Sequence, residues 1–401
     1  MNRATLRPMQ RAIAAVLAAA VTAAAVAGCA SRAASEAERA EALRANMPEL
    51  AEALFRPARP VPSAESLLAL TDAQRRDFLR FFRSGLHARL PPHRRIHRYM
   101  DRHLSDIRFD HETASAAETI AHRRGNCMSL ALVTTALADA GGVDIGWQLA
   151  NTDPVYSSEG AVIYSANHIQ SRLYEPRLGS TGHAFSLGRD YLLLDYFVDG
   201  LPEHGTPLAR HQMLALVYQN LGVETLAEGE LDRAFWLLRE GVAHDPANAN
   251  LYNALGVIHR RAGDAETAES LFRFALSAFG DRLIVLRNYR ELLLAAGRES
   301  EAGLLQQRML KLPDPDPYPM IQLGDEAHRA GDPGTALAYY RKANKVAPYL
   351  HEIHFRMARV HFELGQRARG EQQLEKARRK AWAESDKQRY QAKLQALSGG
   401  R

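Results

Sequence analysis

A small residue recurs at a fixed interval through the C-terminal half of the chain, and this interval constrains the fold more than any other feature of the sequence. Successive members of one glycine series are 34 residues apart: Gly229, Gly263, Gly297, Gly331 and Gly365. A second small residue follows each glycine after five positions, as Ala234, Ala268, Ala302, Ala336 and Gly370. A period of this length indicates one supersecondary unit that cannot bury its apolar face alone and therefore stacks on its neighbours.

Each unit has the pattern of two helices joined at the glycine. A larger residue follows the glycine after nine positions, as Leu238, Phe272, Gln306, Tyr340 and Leu374. This pattern resembles the tetratricopeptide repeat. The resemblance implies five pairs of antiparallel helices over residues 206–382, forming an all-α solenoid, with a capping helix and tail over residues 383–401. Leu-Gly pairs such as Leu323-Gly324 fit the pattern, whereas Tyr289-Arg290 takes their place in repeat three.

The first residues have the pattern of an export signal. Three arginines, Arg3, Arg7 and Arg11, precede an alanine-rich apolar run over residues 12–27 that is too short to span a bilayer. The run ends in Val26-Ala27-Gly28-Cys29, which resembles the lipobox of bacterial lipoproteins. The resemblance implies a signal peptide over residues 1–28, a lipid on the Cys29 thiol and a membrane anchor.

The residue after the anchor and the segment that follows predict where the protein resides. Ala30 stands where aspartate would favour retention in the inner membrane. By analogy with Gram-negative lipoproteins, we expect a cell-envelope protein, anchored in the outer membrane and facing the periplasm. Residues 29–63 are rich in Ala, Glu and Arg and then in proline, and this composition predicts a tether.

Composition excludes several functions and draws attention to one cysteine. The net charge of +5 includes three signal arginines, and no basic stripe with aromatic residues predicts nucleic-acid binding. No histidine cluster has the spacing of a metal site, and no cofactor motif is present, so we expect neither group. Of the 2 cysteines, Cys127 remains unpaired if Cys29 carries a lipid.

Residues 64–205 predict an α+β domain, with helices followed by an antiparallel sheet. Thr71 and Gln74 have capping-box spacing at the start of a helix. Strand-like segments follow at residues 143–150, 161–174 and 191–197. Between these parts, Gly125-Asn126 is a turn signal, and an apolar helical pattern begins at Cys127 and ends at Gly141-Gly142. At a helix N-terminus, the helix dipole and the nearby arginines would lower the pKa of the Cys127 thiol.

The segment around Cys127 resembles the transglutaminase-like branch of the papain-type superfamily, in which a cysteine opens a helix and a histidine and an aspartate lie on later strands. Gly125-Asn126-Cys127-Met128-Ser129 matches the cysteine block, and His168 and Asp195 lie in segments that match the other two. The resemblance implies acyl transfer: Cys127 attacks a carbonyl carbon, His168 accepts the thiol proton, and Asp195 orients the imidazole.

A second histidine is an alternative base. Gly182-His183-Ala184-Phe185 also resembles the histidine block of some members, and a hairpin that pairs Leu187 with Tyr191 would place His183 opposite Asp195. We favour His168 because the run before it, from Trp147 onward, resembles the related bacterial lipoproteins as a block. Both histidines remain candidates.

The sequence supports two functions and does not choose between them. In the first, the middle domain is a peptidase, amidase or transglutaminase-type enzyme, and the repeats bind a protein or peptide partner. In the second, the domain is catalytically silent and the repeats assemble envelope proteins. The substrate, the identity of the partner and the oligomeric state are not encoded in any motif of the sequence.

The lipid prediction has a direct test. We expect a fatty acid supplied to the growing bacterium to label the wild-type protein but not the Cys29→Ser variant, because the lipobox places the lipid on that thiol. Metabolic labelling followed by gel electrophoresis measures this, and Cys127→Ser is the matched control that should keep the label. Label retained by Cys29→Ser, or absent from the wild type, would exclude the anchor.

Overall fold

A computed structural model of the 401-residue chain describes residues 35–57, 60–87, 89–110, 112–150, 155–159, 162–166, 169–176, 190–196, 205–312, 317–381 and 384–398. Two compact units emerge. One contains the described residues up to Val61 together with Leu214–Gly280, and the other contains Pro62–Met213 with Asp281–Arg401. Each is treated separately below.

The described residues in the α+β part of the second unit form five helices and eight short strands. The helices are α1 (Ala64–Leu68), α2 (Asp72–Arg83), α3 (Pro92–His103), α4 (Ala116–His122) and α5 (Cys127–Gly141). The strands are β1 (Arg108–Phe109), β2 (Arg124–Gly125), β3 (Ile145–Ala150), β4 (Val155–Glu159), β5 (Val162–Ala166), β6 (Ile169–Tyr174), β7 (Tyr191–Leu194) and β8 (Gly205–Leu208).

Helix α5 is the core of this part. Its side chains from Met128 to Ala138 are all buried, and it packs against α1, α2, α3, α4 and β6. The Thr71 capping box predicted from the sequence is confirmed at the start of α2. The predicted ends of α5 are confirmed as well, since Cys127 is its first residue and Gly142 follows it in the left-handed conformation.

A small antiparallel sheet lies beside α5, in the strand order β7-β6-β3-β8. The register pairs Gln148 with Gln170 and Arg172 with Leu193. Because side chains alternate along a strand, Trp147 and Ser171 share one face of the sheet, whereas the two glutamines share the other. Trp147 Nε1 donates to the hydroxyl of Thr135 on α5 at 3.2 Å, so the first of these faces is the one that contacts the helix. The antiparallel sheet agrees with the α+β prediction, while the transglutaminase-like fold stays a prediction.

Helices account for the C-terminal half of the chain. They are α6 (Arg210–Ala227), α7 (Leu231–His244), α8 (Ala249–Arg261), α9 (Ala265–Phe279), α10 (Leu283–Ala295), α11 (Glu299–Lys311), α12 (Pro317–Arg329), α13 (Pro333–Val346), α14 (His351–Glu363), α15 (Arg367–Lys380) and α16 (Glu384–Ser398).

The turn glycines of the 34-residue series separate the helices into pairs. Each of the five lies between two helices and adopts a positive φ of 69° to 86°, which an L side chain rarely adopts. The small residues five positions later are all buried in the second helix of the pair, as Ala234, Ala268, Ala302, Ala336 and Gly370. These helix pairs confirm the tetratricopeptide type of fold for this half of the chain.

A close crossing holds the two helices of most pairs together. A Cβ placed on Gly256 of α8 would lie 2.6 Å from the ring of Phe272 on α9, and one on Gly324 of α12 would lie 2.4 Å from the ring of Tyr340 on α13. Both rings are fully buried. The glycine of the Leu-Gly pair therefore provides the space that the residue nine positions after the turn fills, which links two features of the repeat to one contact.

Repeat three replaces that contact with a hydrogen bond. Arg290 stands where repeats one, two and four have glycine and repeat five has Ala358. Gln306 stands where the other repeats have an aromatic ring or leucine. The Arg290 Nε donates to the Gln306 side-chain oxygen at 3.1 Å, and Gln306 donates onward to Thr335 at 3.0 Å. The two departures from the repeat pattern thus compensate each other across the same helix crossing.

Part of the segment expected to form a tether belongs to the first unit and packs against its helix α7. Residues 35–46 are helical, and a short 3₁₀ helix follows at Glu52–Leu54. Phe55 is buried, with its ring stacked 4.1 Å from that of Phe235 on α7. Glu52 pairs with Arg239 at 2.5 Å on the same helix. This ring stacking and this ion pair restrict how far residues 35–57 can extend.

No helix among the described residues combines the length and the apolar character that crossing a membrane requires.

The crossing contact predicts a large difference between two glycine positions. We expect Gly324→Ala to destabilise the protein by about 1–3 kcal/mol, because the added methyl meets the buried Tyr340 ring. Gly303, inside α11, has nothing within 4 Å of its Cβ position, so Gly303→Ala should be neutral or stabilising by up to about 1 kcal/mol. Chemical unfolding of both variants measures the change in the free energy of unfolding. Equal changes would contradict a close helix crossing at Gly324.

Candidate functional site

The site is built around the first turn of α5. Asn126 caps this helix: its side-chain oxygen accepts from the Ser129 backbone N–H at 3.0 Å. Before it, Gly125 approaches the helix so closely that a Cβ there would lie 2.7 Å from the Ser129 Cβ. These two residues direct the chain sharply into the helix, so that Cys127 becomes its first residue, as the Gly-Asn turn signal predicts.

A buried polar network fixes this helix start to the preceding loop. The Asn126 amide donates to the Thr113 hydroxyl at 2.8 Å, and the Ser129 hydroxyl accepts from the Ala114 backbone N–H at 2.9 Å. Asn126, Ser129 and Thr113 are all buried. Because buried polar groups are costly to leave unpaired, this satisfied network determines one position for the backbone at Cys127.

The environment of the Cys127 thiol differs from the one predicted. Burial raises the pKa of this thiol, and the negative charge of Asp195 adds to the rise. Hydrogen bonds to the sulfur from the backbone N–H groups of Ile169 and Met128 act in the opposite direction. The prediction of a lowered pKa is therefore wrong for the described surroundings, because desolvation outweighs the helix start.

The arginines before Cys127 interact with other groups. Arg123 lies 3.1 Å from a carboxylate oxygen of Asp106, and Arg124 lies 3.5 Å from Asp110. These ion pairs hold the loop between α4 and α5, with Arg123 in the left-handed conformation at the end of α4.

Asp195 lies at the end of a hydrogen-bonded chain that crosses the sheet. The Arg172 guanidinium donates to the Gln148 side-chain oxygen, and the Gln148 amide donates to Gln170 at 2.5 Å. Gln170 then donates to the Asp195 carboxylate at 2.9 Å. The chain runs from a cation to an anion with every amide in the same orientation, an arrangement in which neighbouring hydrogen bonds strengthen one another.

The face of the sheet toward α5 holds a second polar group. The Tyr196 hydroxyl donates to the Ser171 hydroxyl at 2.6 Å and lies 2.9 Å from that of Thr134. Burial raises the pKa of Tyr196, so its hydroxyl stays protonated at neutral pH. Tyr196, which directly follows Asp195, therefore joins the segment after β7 to the middle of α5.

The structure describes two of the three residues predicted to act together. Cys127 and Asp195 are brought close enough for the carboxylate to affect the thiol. His168 and the alternative base His183 lie outside the described residues, and so does Cys29. Ile169, which directly follows His168 in the chain, is described, and its backbone N–H faces the Cys127 sulfur.

The described residues on the strands show which face carries which groups. The sequence predicts that His168 shares a face with Gln170 and Arg172. Those two side chains belong to the glutamine chain, on the face opposite Ser171 and Trp147. Asp195 lies on that same face through its bond to Gln170.

Sequence reasoning missed the role of two buried glutamines. Gln148 and Gln170 are fully buried and directly opposed on neighbouring strands. A signal was present, since each is a polar residue within a strand-like apolar run, but only the register shows that they pair. Groups of three or more His, Cys, Asp or Glu arranged to bind a metal do not occur in the part of the chain that the structure describes.

Comparison with known proteins gives structural neighbours only. No family model matches the chain, and no curated protein matches it. A solved structure from a functional study of Pseudomonas aeruginosa PilF is 19% identical, covering 48% of this chain and 96% of its own, with a TM-score of 0.34. YrrB, described as a tetratricopeptide protein with an unusual peptide-binding site, is also 19% identical, covering 43% of this chain and 89% of its own, with a TM-score of 0.29.

MamA from Desulfovibrio magneticus RS-1 is similar at the same level. It is 16% identical, covering 41% of this chain and 92% of its own, with a TM-score of 0.29. TM-scores this low do not support an argument about function. The assignment of tetratricopeptide-type repeats therefore rests on the helix pairs and turn glycines of this chain.

The glutamine chain predicts a measurable coupling. We expect Gln148→Leu and Gln170→Leu each to destabilise the protein by about 1–3 kcal/mol, because each leaves a buried amide partner unpaired. The double variant should cost less than the two single losses together, since both partners are then removed. Chemical unfolding of the four proteins in the cycle measures the coupling, and additive losses would show that the two amides do not interact.

Proposed function

We propose that this chain is a lipid-anchored protein of the bacterial envelope whose middle domain carries out acyl transfer at Cys127 and whose repeats bind a protein or peptide partner. One observation carries the proposal. Cys127 opens a buried helix, its sulfur faces the backbone N–H of the residue that follows His168, and the Asp195 carboxylate lies close enough to act on its pKa. Three segments far apart in sequence thus meet where the resemblance places a triad.

In the proposed reaction, the Cys127 sulfur attacks a carbonyl carbon of the substrate as His168 accepts the thiol proton. The tetrahedral oxyanion receives a hydrogen bond from the backbone N–H of Cys127 at the start of α5. The histidine then returns the proton to the leaving group, and the acyl group remains on sulfur as a thioester. Asp195 orients the imidazole for both transfers.

The group that attacks the thioester determines the class of enzyme. Attack by water on the thioester releases a carboxylic acid, as in a peptidase or amidase. Attack by an amine forms a new amide bond, as in a transglutaminase-type enzyme. In both cases Cys127 recovers its proton through His168, and the reaction needs neither a metal nor a redox partner.

The raised thiol pKa explains why a base is needed. A thiol that burial keeps protonated is a poor nucleophile at neutral pH until a neighbouring group accepts its proton. A histidine has the pKa suited to that task. The proposal therefore assigns activation of Cys127 to proton transfer rather than to the helix dipole.

A second function, a catalytically silent scaffold, is favoured by two of the same observations. Burial raises the pKa of the Cys127 thiol, and the Asp195 carboxylate accepts a hydrogen bond from Gln170. If the buried thiol serves only in packing and the Asp195 carboxylate only as a hydrogen-bond acceptor, the middle domain is structural. Only the repeats then have a binding function. The two functions predict opposite pH profiles for the thiol.

The pH dependence of alkylation distinguishes the two functions. In a Cys29→Ser background, which leaves one thiol, we expect iodoacetamide to label Cys127 readily at neutral pH. The reason is that the histidine holds the thiol proton in an ion pair. His168→Ala should slow this labelling by at least about tenfold at neutral pH and move the profile to the alkaline range, because the thiol then keeps the raised pKa of its surroundings. Mass spectrometry of the labelled peptide measures the rates.

His183→Ala is the matched control for the base, and it should leave the profile unchanged. If only His183→Ala slows the labelling, the enzyme proposal stands and His183 is the base instead of His168. Slow alkaline labelling of the parent protein, unchanged by either variant, would exclude acyl transfer and favour the scaffold.

A further inference from the structure

An open cavity of about 460 Å³ lies within the second unit, among three helices of its C-terminal part. Helices α12 and α14, the first helices of repeats four and five, form two of its walls, and α16 forms the third. Its volume lies within the range of about 300–1,000 Å³ that is usual for ligand sites. The walls combine positive charge with two aromatic rings.

Positive groups outnumber negative ones in the lining. The charged side chains are Arg329, Arg356, Arg359, Arg389, Asp325 and Glu352. One of the acidic groups is already neutralised, because Arg356 Nε lies 3.0 Å from both oxygens of the Asp325 carboxylate and the Tyr340 hydroxyl donates to it at 2.6 Å. Arg389 is also paired, since its guanidinium lies 2.9 Å from the Asp386 carboxylate. Arg329 and Arg359 are the remaining arginines of the lining.

Both of these arginines are available to a ligand. Arg329 and Arg359 are exposed, and neither has a hydrogen-bond or ion-pair partner within the described residues. Glu352, the other acidic group, lies seven residues before Arg359 on α14, a separation of about 10 Å along the helix. A carboxylate at Arg359 would thus lie away from Glu352. Glu363, four residues after Arg359, is held against the His328 ring, with its carboxylate 2.5 Å from Nε2.

An apolar surface adjoins the arginines. The partly buried Phe355 ring lies 5.2 Å from the ring of Tyr390, which is fully buried. The Arg389 guanidinium lies 5.6 Å and the Lys393 ammonium 5.4 Å from the Phe355 ring centre. Since Phe355 is four residues before Arg359, the ring and the free guanidinium lie about one helical turn apart on one face of α14.

We infer that this cavity binds an acidic peptide segment of a protein partner, with a carboxylate at Arg359 and Arg329 and an apolar side chain against Phe355. The inference deepens the partner-binding role proposed for the repeats and does not depend on the chemistry of Cys127. A segment with Asp or Glu beside an apolar residue matches both surfaces at once, and each arginine can form a bidentate bond with a carboxylate. An anionic membrane is a poorer fit, because a planar surface does not reach the walls of a concave cavity.

Selection from a random peptide library tests the inference without assuming a partner. The full chain with Cys29→Ser is immobilised, and nine-residue peptides displayed on phage are selected on it. Peptides enriched in Asp and Glu beside an apolar residue are expected. One selected peptide, synthesised with a fluorophore, should bind Arg359→Glu and Phe355→Ala at least about tenfold more weakly in fluorescence anisotropy, as expected from loss of a charge-assisted bond or of a buried contact.

Arg379→Glu supplies the matched control for charge. Arg379 lies on α15, the second helix of repeat five, with 67% of its side chain exposed, so the variant changes the net charge equally. We expect its affinity to match that of the parent, and circular dichroism verifies that every variant is folded. Equal weakening by both charge reversals would overturn the inference, and so would selected peptides without acidic residues or the absence of any selected binder.

Two further outcomes separate this inference from the proposed function. Binding of the parent to phosphatidylglycerol vesicles that Arg359→Glu abolishes, without peptide binding, would overturn the peptide assignment. Selected peptides that are apolar or basic and insensitive to Arg359→Glu would overturn the cavity assignment, while leaving a binding role for the repeats intact. The alkylation of Cys127 is unaffected by either result.

Discussion

The need to satisfy backbone N–H groups at the start of a buried helix underlies the geometry of the candidate site. Helix α5 is surrounded by other helices and by β6, so solvent does not satisfy its first turn, and Asn126 and Ser129 do so instead. Their bonds to Thr113 and Ala114 connect the helix start to the loop before it. Cys127 is placed by this network, with little freedom to shift relative to β6.

Packing at the helix crossings plays the corresponding role in the repeats. In repeats one, two and four, a glycine on the first helix accommodates a ring or leucine from the second. Repeat three replaces this pair of residues by Arg290 and Gln306 without losing a direct contact. In the first unit, a direct contact also joins the N-terminal segment to the repeats, because the ring of Phe55 stacks on that of Phe235.

Charge and burial together define what each part of the protein can do. Around Cys127, desolvation and Asp195 favour the neutral thiol, so that reactivity depends on a group that accepts the proton. The hydrogen-bonded chain from Arg172 through two buried glutamines holds the Asp195 carboxylate in place. In repeats four and five, by contrast, Arg329 and Arg359 lie at an open cavity and have no hydrogen-bond or ion-pair partner among the described residues, an arrangement suited to a ligand of opposite charge.

The sequence by itself determined the elements that depend on local pattern. The 34-residue glycine series predicted ten paired helices, because each turn needs a positive φ that glycine adopts freely. Gly125-Asn126 likewise placed Cys127 at a helix start, and Thr71 with Gln74 marked another. Tertiary structure alone decided what depends on contacts between distant residues: the pairing of Gln148 with Gln170, the hydrogen bond that holds Asp195, and the packing of Phe55. It also decided the direction of the Cys127 pKa shift, because desolvation is set by the surrounding fold and not by the neighbours in sequence.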